Sequence, residues 1–329
     1  MIRPLLASTA ALAFAVTAAG CGSASSASDN PDSITISLVP SIQGEDLAEA
    51  LDPLTKYLSE ELDIKVNGVV ANDYAATVEA LGSDQAQVII TDAGSIYNAM
   101  NQYNAELILR DVRFGATSYA SMAVTNDPDK YCEDEPVKAT YQAADAELTY
   151  CNGLEEAGST ASGQGPKGLE ALKKAKGAKV AVQATTSPAG YQYPVVAMKE
   201  QGLNPDSDIE QIPVEGNNNA VIAVANGDAE VGFAFWDARS EVLQETPDIG
   251  DKAVAFAYSD MIPNGGVAVA QDLPEDLKKN LTDLMDNYAD SSDEAKTVMQ
   301  DLVNLSDWTT ELEEDQIQRY GEILEEFSQ

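Results

Sequence analysis

Histidine is absent from this chain of 329 residues. That absence removes Ser-His-Asp and Cys-His catalysis, and with them the commonest metal ligand. Basic residues are scarce as well: 19 Lys and Arg face 55 Asp and Glu, a formal charge of −36. A field of that sign repels nucleic acid and anionic lipid head groups, so DNA and RNA are excluded as partners. Adaptation to a saline medium produces the same composition. Cysteine occupies only positions 21, 132 and 151. Beyond the N-terminal leader no apolar run approaches the roughly 20 residues that a membrane helix needs.

The leader itself has a recognisable order. Arg3 supplies positive charge, Leu5 to Val16 are apolar or small, and Ala18-Ala19-Gly20-Cys21 follows. Residues 1–20 therefore read as a secretory signal, with Cys21 lipidated as the first residue of the mature chain. The alternative, a one-span anchor, needs a longer apolar stretch; Ala18 stands where lipoprotein sites usually carry Leu. Residues 21–33, rich in Ser, Ala, Asp and Asn, have the composition of a tether. The remaining residues, about 295, suffice for two lobes. In an exported chain Cys132 and Cys151 are expected to form a disulfide, with two free thiols as the alternative. Closing a loop of about 20 residues contributes about 3 kcal/mol.

Short β-branched runs alternate with amphipathic stretches, the pattern of an α/β protein. Strands are expected at Ile34–Val39, from Asp63 to about Val70, at Gln87–Thr91 and at Ala120–Thr125. Helices are expected over Glu45–Leu62, over Tyr74–Leu81 with Asn72-Asp73 as cap, and after Asp92-Ala93-Gly94-Ser95. The segment from Asn126 to Gly168, rich in Asp, Glu, Gly and Ser, reads as a surface excursion. Its Gly158–Gly168 stretch is a linker, since no G-x-x-x-x-G-K-[ST] occurs. Alternation then resumes with strands at Lys179–Gln183, Glu210–Val214, Glu230–Phe235 and Ala253–Ala257, and with helices from Ala189, Asn219 and Asp237. A strand at Gly266–Ala270 and helices over Glu275–Phe327 return to the first lobe. The expected fold is a two-lobe α/β clamp with two crossover strands: lobe 1 over 34–122, lobe 2 over 123–261 with a disulfide-clipped insert at 127–168, and the return over 262–329. Ligands of such clamps lie in the cleft, against strand ends and helix starts.

The most informative stretch is VAVQATTSPAGYQYP, Val180 to Pro194. A strand runs into Thr185, Thr186 and Ser187, then into Pro188, which suits a first helical turn. Hydroxyls and free N–H groups at a helix start can seat an anion without a cationic side chain. Ordinary N-capping uses the same residues.

NDYAATVEALGSDQAQVIITDAG, GATSYASMAVTN, TTSPAGYQYP, EGNNNAVIAVANGDAEVGFAFWDAR and MIPNGGVAV follow one another along the chain. In that order they resemble the segments of the phosphate/phosphite/phosphonate (PhnD-type) substrate-binding proteins of ABC importers, which have the type II periplasmic-binding-protein fold. The resemblance implies that Tyr74 and Tyr119 donate phenolic hydroxyls to ligand oxygens from the first lobe. From the second lobe, Ser187 and the N–H groups of the helix beginning at Ala189 would bind, with Thr185 and Thr186 contributing if the loop is shifted. Asn218 falls where the family often has histidine, and Asp237, after Trp236, near an acid that holds an amino group. Asn217, Asn219, Ser41 and Gln43 are further candidates for the cleft wall. Three departures stand out: Pro188 and Ala189 replace hydroxyl residues, Gly265 stands where Asp is usual, and histidine is gone.

The resulting expectation is a lipid-anchored, extracytoplasmic binding protein, monomeric, without cofactor or metal, that delivers a small oxyanion to a membrane permease. A sulfonate or another small organic ligand on the same scaffold is the alternative, as is a surface sensor or adhesion lipoprotein. An enzyme is disfavoured, because no nucleophile is paired with a base and no spacing singles out two carboxylates.

Overall fold

The computed structural model describes residues 31–38, 47–113, 115–160, 162–303 and 305–327. Cys21, the leader, most of the tether, Ser41 and Gln43 lie outside these described residues.

The strands divide into two sheets. The first holds β1 (Ser33–Leu38), β2 (Lys65–Val70), β3 (Val88–Thr91), β4 (Glu106–Val112), β12 (Gly266–Val269) and β13 (Asp307–Thr309), in the order β13-β4-β12-β3-β1-β2. The second holds β5 (Ser118–Thr125), β6 (Val137–Tyr141), β7 (Ala146–Tyr150), β8 (Lys179–Val182), β9 (Glu210–Pro213), β10 (Val231–Phe235) and β11 (Val254–Pro263), ordered β6-β7-β11-β5-β10-β8-β9. The two sheets share a plan. Each has three parallel strands, β2-β1-β3 or β9-β8-β10, joined by an antiparallel strand that has just crossed from the other lobe, β12 or β5. The molecule is thus the two-lobe α/β clamp with two crossovers that the sequence predicts.

Local sequence explains the elements. In β1, Ile34, Ile36 and Leu38 recur with the strand period of two and are fully buried against Leu51, Leu54 and Leu58 of the helix Leu47–Leu62. The helix Tyr74–Gly82 begins where expected, with Asp73 Oδ1 accepting the Ala76 N–H at 2.8 Å. The helix placed from Asn219 begins earlier, at Gly216. The one placed from Asp237 is a short 3-10 turn, Ala238–Val242.

The insert departs from the surface excursion expected of it. Its strands β6 and β7 form a hairpin that joins the second sheet beside β11, and Leu148, Tyr150 and Cys151 are fully buried. Alternate residues of the AELTY run face the core, a pattern that the surrounding acidic composition masks. Cys132 and Cys151 are disulfide-bonded at the base of this hairpin.

The lobes also touch away from the crossovers. The C-terminal helix Glu314–Phe327 lies on the helix Ala93–Tyr103 and reaches the second lobe. There, one cluster joins Ile317, Tyr320 and Ile323 to Ala189, Tyr193 and Val196. Tyr320 donates its hydroxyl to Gln192 Oε1 at 2.9 Å, and its ring packs 5.7 Å from that of Tyr193.

Candidate functional site

The site grows from the place where the chain crosses twice between lobes. β4 ends at Val112 and the chain passes through Arg113–Thr117 into β5; β11 ends at Pro263 and passes through Asn264-Gly265 into β12. The segments run side by side, with Ser118 opposite Pro263 and Tyr119 opposite Ile262. Asn264 clasps them. Its backbone N–H donates to Thr117 O at 2.8 Å, and its buried Nδ2 donates to Ala116 O at 2.9 Å and Asp111 O at 3.2 Å. Gly265 accepts no side chain: a Cβ there would lie 2.0 Å from the Thr91 carbonyl oxygen. This steric limit accounts for glycine in the IPNG sequence.

Two cavities flank the crossovers and meet at Arg113, Tyr119, Pro188 and Asn264. The smaller, about 290 Å3, belongs mainly to the first lobe and is walled by Tyr74, Thr91, Asp92, Asp111 and Tyr320. The larger, about 470 Å3, opens toward the second lobe, where Ser187, Ala189, Asn217, Phe235 and Trp236 line it. Both lie at the carboxyl ends of parallel strands, where ligands of open α/β sheets bind. Helices begin at or beside Tyr74, Ala93, Pro188 and Asn217, so the positive ends of their dipoles face the cleft.

Of the residues singled out in the sequence, several converge. Tyr74 and Tyr119 reach the first cavity, and no hydrogen bond among the described residues engages either hydroxyl. Burial pushes the Tyr119 phenol up to about 12, with Arg113 opposing the shift, so Tyr119 keeps its proton at neutral pH and can donate it to an anion. Ser187 caps the helix that follows, accepting the Gly190 N–H at 3.1 Å, and donates to Gln183 Oε1 at 3.3 Å. That helix opens as a π-turn, Pro188–Gln192, and continues as Tyr193–Glu200; Gly190 is required because a Cβ would lie 2.2 Å from the Gln183 side chain. Ala189 and Trp236 line the larger cavity.

Others are placed elsewhere. Thr185 and Thr186 are exposed and line neither cavity. Asn218 is exposed on an outer groove, facing Glu241. Its neighbour Asn217 takes the inner position, with Oδ1 accepting from Gln183 Nε2 at 2.9 Å and from the Phe235 N–H at 3.0 Å. Asp237 does not reach the cleft. It is fully buried and forms a two-pronged ion pair with Arg239, Nε to Oδ1 at 2.9 Å and NH2 to Oδ2 at 2.7 Å, while Tyr150 donates to Oδ2 at 2.9 Å. A carboxylate so engaged has no lone pair turned to a ligand, which corrects the ligand-holding role expected of it.

Arg113 is the residue that the sequence reading missed. Among the described residues it is the only Lys or Arg lining either cavity; it sits where they meet, and its Nε is buried without a hydrogen-bond partner. No ion pair among the described residues involves it. The carboxylates nearby are already engaged. Asp92 caps the helix behind it through Gly94 N, Ser95 N and the Ser95 hydroxyl. Asp111 accepts from Trp308 Nε1 at 2.9 Å, and burial pushes it up to about 6, with Arg113 opposing. The one signal for Arg113 in the sequence is a basic residue shortly before the GATSYASMAVTN segment in a chain with few bases. Among the described residues no cluster of acidic or cysteine side chains could hold a metal, and no helix is long and apolar enough to cross a membrane.

Comparison with known proteins bears on this geometry. The family model described as "ABC transporter, phosphonate, periplasmic substrate-binding protein" matches residues 36–315. The phosphate-import protein PhnD of Mycolicibacterium smegmatis is 27% identical over 286 residues, which span 82% of this chain and 78% of that protein. Among solved structures, PhnD1 of Prochlorococcus marinus in complex with methylphosphonate shares the fold, with a TM-score of 0.60 at 16% identity over 91% of this chain and 99% of that one. A binding protein component of an ABC phosphonate transporter from Pseudomonas aeruginosa does so with a TM-score of 0.54 at 19% identity, over 89% and 87% respectively.

Proposed function

Because the chain belongs to the periplasmic phosphonate substrate-binding family of ABC transporters, we propose that it captures a small phosphorus oxyanion at Arg113 and presents it to a membrane permease. Phosphonate, phosphite and phosphate are the candidate ligands. The protein acts as a lipid-anchored monomer outside the cell membrane, tethered through Cys21. The observation that carries this reading is the unpaired guanidinium of Arg113 at the junction of the two cavities, with the hydroxyls of Tyr74, Tyr119 and Ser187 around it. In a chain of charge −36, such a site supplies the opposite local field that an anion needs. Arginine matches a tetrahedral oxyanion with paired donors, the phenols add neutral donors, and the helix starts add partial positive charge. The site lacks a histidine, and its first-lobe carboxylates are bound to caps and to Trp308, which supports binding without catalysis.

The test is thermal unfolding of the full chain against phosphate, phosphite, methylphosphonate, sulfate and taurine. A ligand at a hundred times its Kd stabilises by about 2.7 kcal/mol, which is a visible rise in midpoint. A rise with phosphorus oxyanions that Tyr119→Phe or Ser187→Ala diminishes upholds the reading. A rise with sulfonates alone would replace the ligand class, and no rise with any of them would favour a sensor or adhesion role.

A further inference from the structure

The larger cavity exceeds what a bare oxyanion fills, and its walls differ in kind from those at Arg113. About 470 Å3 places it within the range of roughly 300–1,000 Å3 typical of sites for organic molecules. Its far side is built from two elements of the second lobe. Tyr141, Ala143 and Ala144 come from the tip of the β6–β7 hairpin, and Phe235 and Trp236 come from the end of β10. None of the five carries charge, and the one carboxylate lining this cavity among the described residues, Glu241, is raised by burial. The aromatic wall is fixed before any ligand arrives. Trp236 Nε1 donates to Thr160 O at 3.1 Å, the indole packs edge-on to Tyr258 at 4.4 Å, and Tyr141 meets it edge-on at 6.1 Å. Such rigidity lowers the entropic cost of seating an apolar group. The two alanines on the facing hairpin leave the space open, where larger side chains would close it.

Resting on the oxyanion reading above, we infer that the ligand is an organic phosphonate or phosphate monoester whose apolar, ring-sized substituent occupies the Tyr141–Ala144–Trp236 chamber while its oxyanion rests at Arg113. The smaller cavity is the poorer host for that substituent, because Asp92 and Asp111 line it. The hairpin insert is therefore a wall of the ligand site, and the disulfide at its base helps to hold that wall in position.

Titration calorimetry of the full chain with phosphate, methylphosphonate, 2-aminoethylphosphonate and phenylphosphonate tests this. The expected result is that phenylphosphonate binds at least about tenfold more tightly than methylphosphonate, about 1.4 kcal/mol. Ala144→Trp, at an exposed turn position, should weaken phenylphosphonate binding more than methylphosphonate binding and so cancel that gain. Equal or weaker binding of the aryl compound, preference for the aminoethyl compound, or an equal loss of both ligands in Ala144→Trp would overturn the inference while leaving the oxyanion reading intact. If none of the four binds, the oxyanion reading itself falls, and this inference with it.

Discussion

The tripeptide pattern Asp-x-Arg occurs once in each lobe, as Asp111-Val112-Arg113 and as Asp237-Ala238-Arg239. In the second lobe the pair closes on itself. Asp237 begins a short 3-10 turn and caps the Arg239 N–H, so the guanidinium folds back as a two-pronged fork; Arg239 NH1 also donates to Thr149 O and Ala253 O, and both side chains are fully buried. In the first lobe the pair stays open. Asp111 lies in β4 and turns to Trp308, while Arg113 lies just past the strand end with its Nε unpartnered. Identical residues thus serve as internal scaffold in one lobe and as a cavity-lining charge in the other. Local structure separates the roles: the 3-10 turn after Asp237 folds the Arg239 side chain back onto the carboxylate, whereas Asp111, in strand β4, turns to Trp308.

Three changes probe this contrast, beginning with the one of largest effect. Asp237→Asn leaves Arg239 as a buried, uncompensated charge, and a loss of roughly 3–5 kcal/mol of stability is expected in denaturant unfolding. A loss comparable to that of a surface substitution would show that the fork is dispensable.

The second concerns Asp111, whose carboxyl is raised by folding to about 6 from an ordinary 3.8. A raised acid favours the folded state while protonated, so its contribution is full below the unfolded value and is lost as pH rises through about 6. Stability of the wild type should therefore include a component, on the order of 2–3 kcal/mol, that declines between about pH 4 and 6. Asp111→Asn should lack it. If the two unfolding curves keep the same pH dependence, Asp111 does not titrate as described.

The third is Arg113→Gln, expected to weaken oxyanion binding by roughly 1.5–3 kcal/mol, the range for a charged hydrogen bond. The midpoint of the ligand-free protein should fall only slightly, since Arg113 has no ion pair among the described residues and loses only its through-space attraction to Asp111. A large drop in that midpoint would mean that Arg113 is scaffold like Arg239, and the contrast between the lobes would vanish.

Legibility in the sequence followed the same physics. β1, β3, β8 and β10 are short β-branched or apolar runs bounded by polar turns, and each lies within about a residue or two of its expected place. β4 escaped because ELILRDV carries Arg110 and Asp111 into the interior; a strand that buries charges breaks the apolar run that announces one. β6 and β7 escaped because polar residues alternate with their buried ones. At the site, Ser187 stands out because a strand runs into hydroxyl residues and Pro188 at a helix start, whereas Tyr74 and Tyr119 are singled out only by the family resemblance. The roles of Asn217 rather than Asn218, and of Arg113 rather than Asp237, depend on one residue of helix phase and on which side chain finds an internal partner. Neither is a property of local sequence.

The contact between the C-terminal helix and the second lobe has a kinetic meaning. Separating the lobes must break the Tyr320–Gln192 hydrogen bond and part the Tyr193 and Tyr320 rings, whatever molecule occupies the cleft. That barrier is common to every ligand, so it cancels from the ratio of two affinities and leaves selectivity to the cleft walls. It does not cancel from exchange rates. If the lobes must part for exchange, entry and exit are expected to slow together, and residence time to lengthen without any gain in discrimination. The contact made by the final helix thus bears on timing, while Tyr320 itself also walls the smaller cavity.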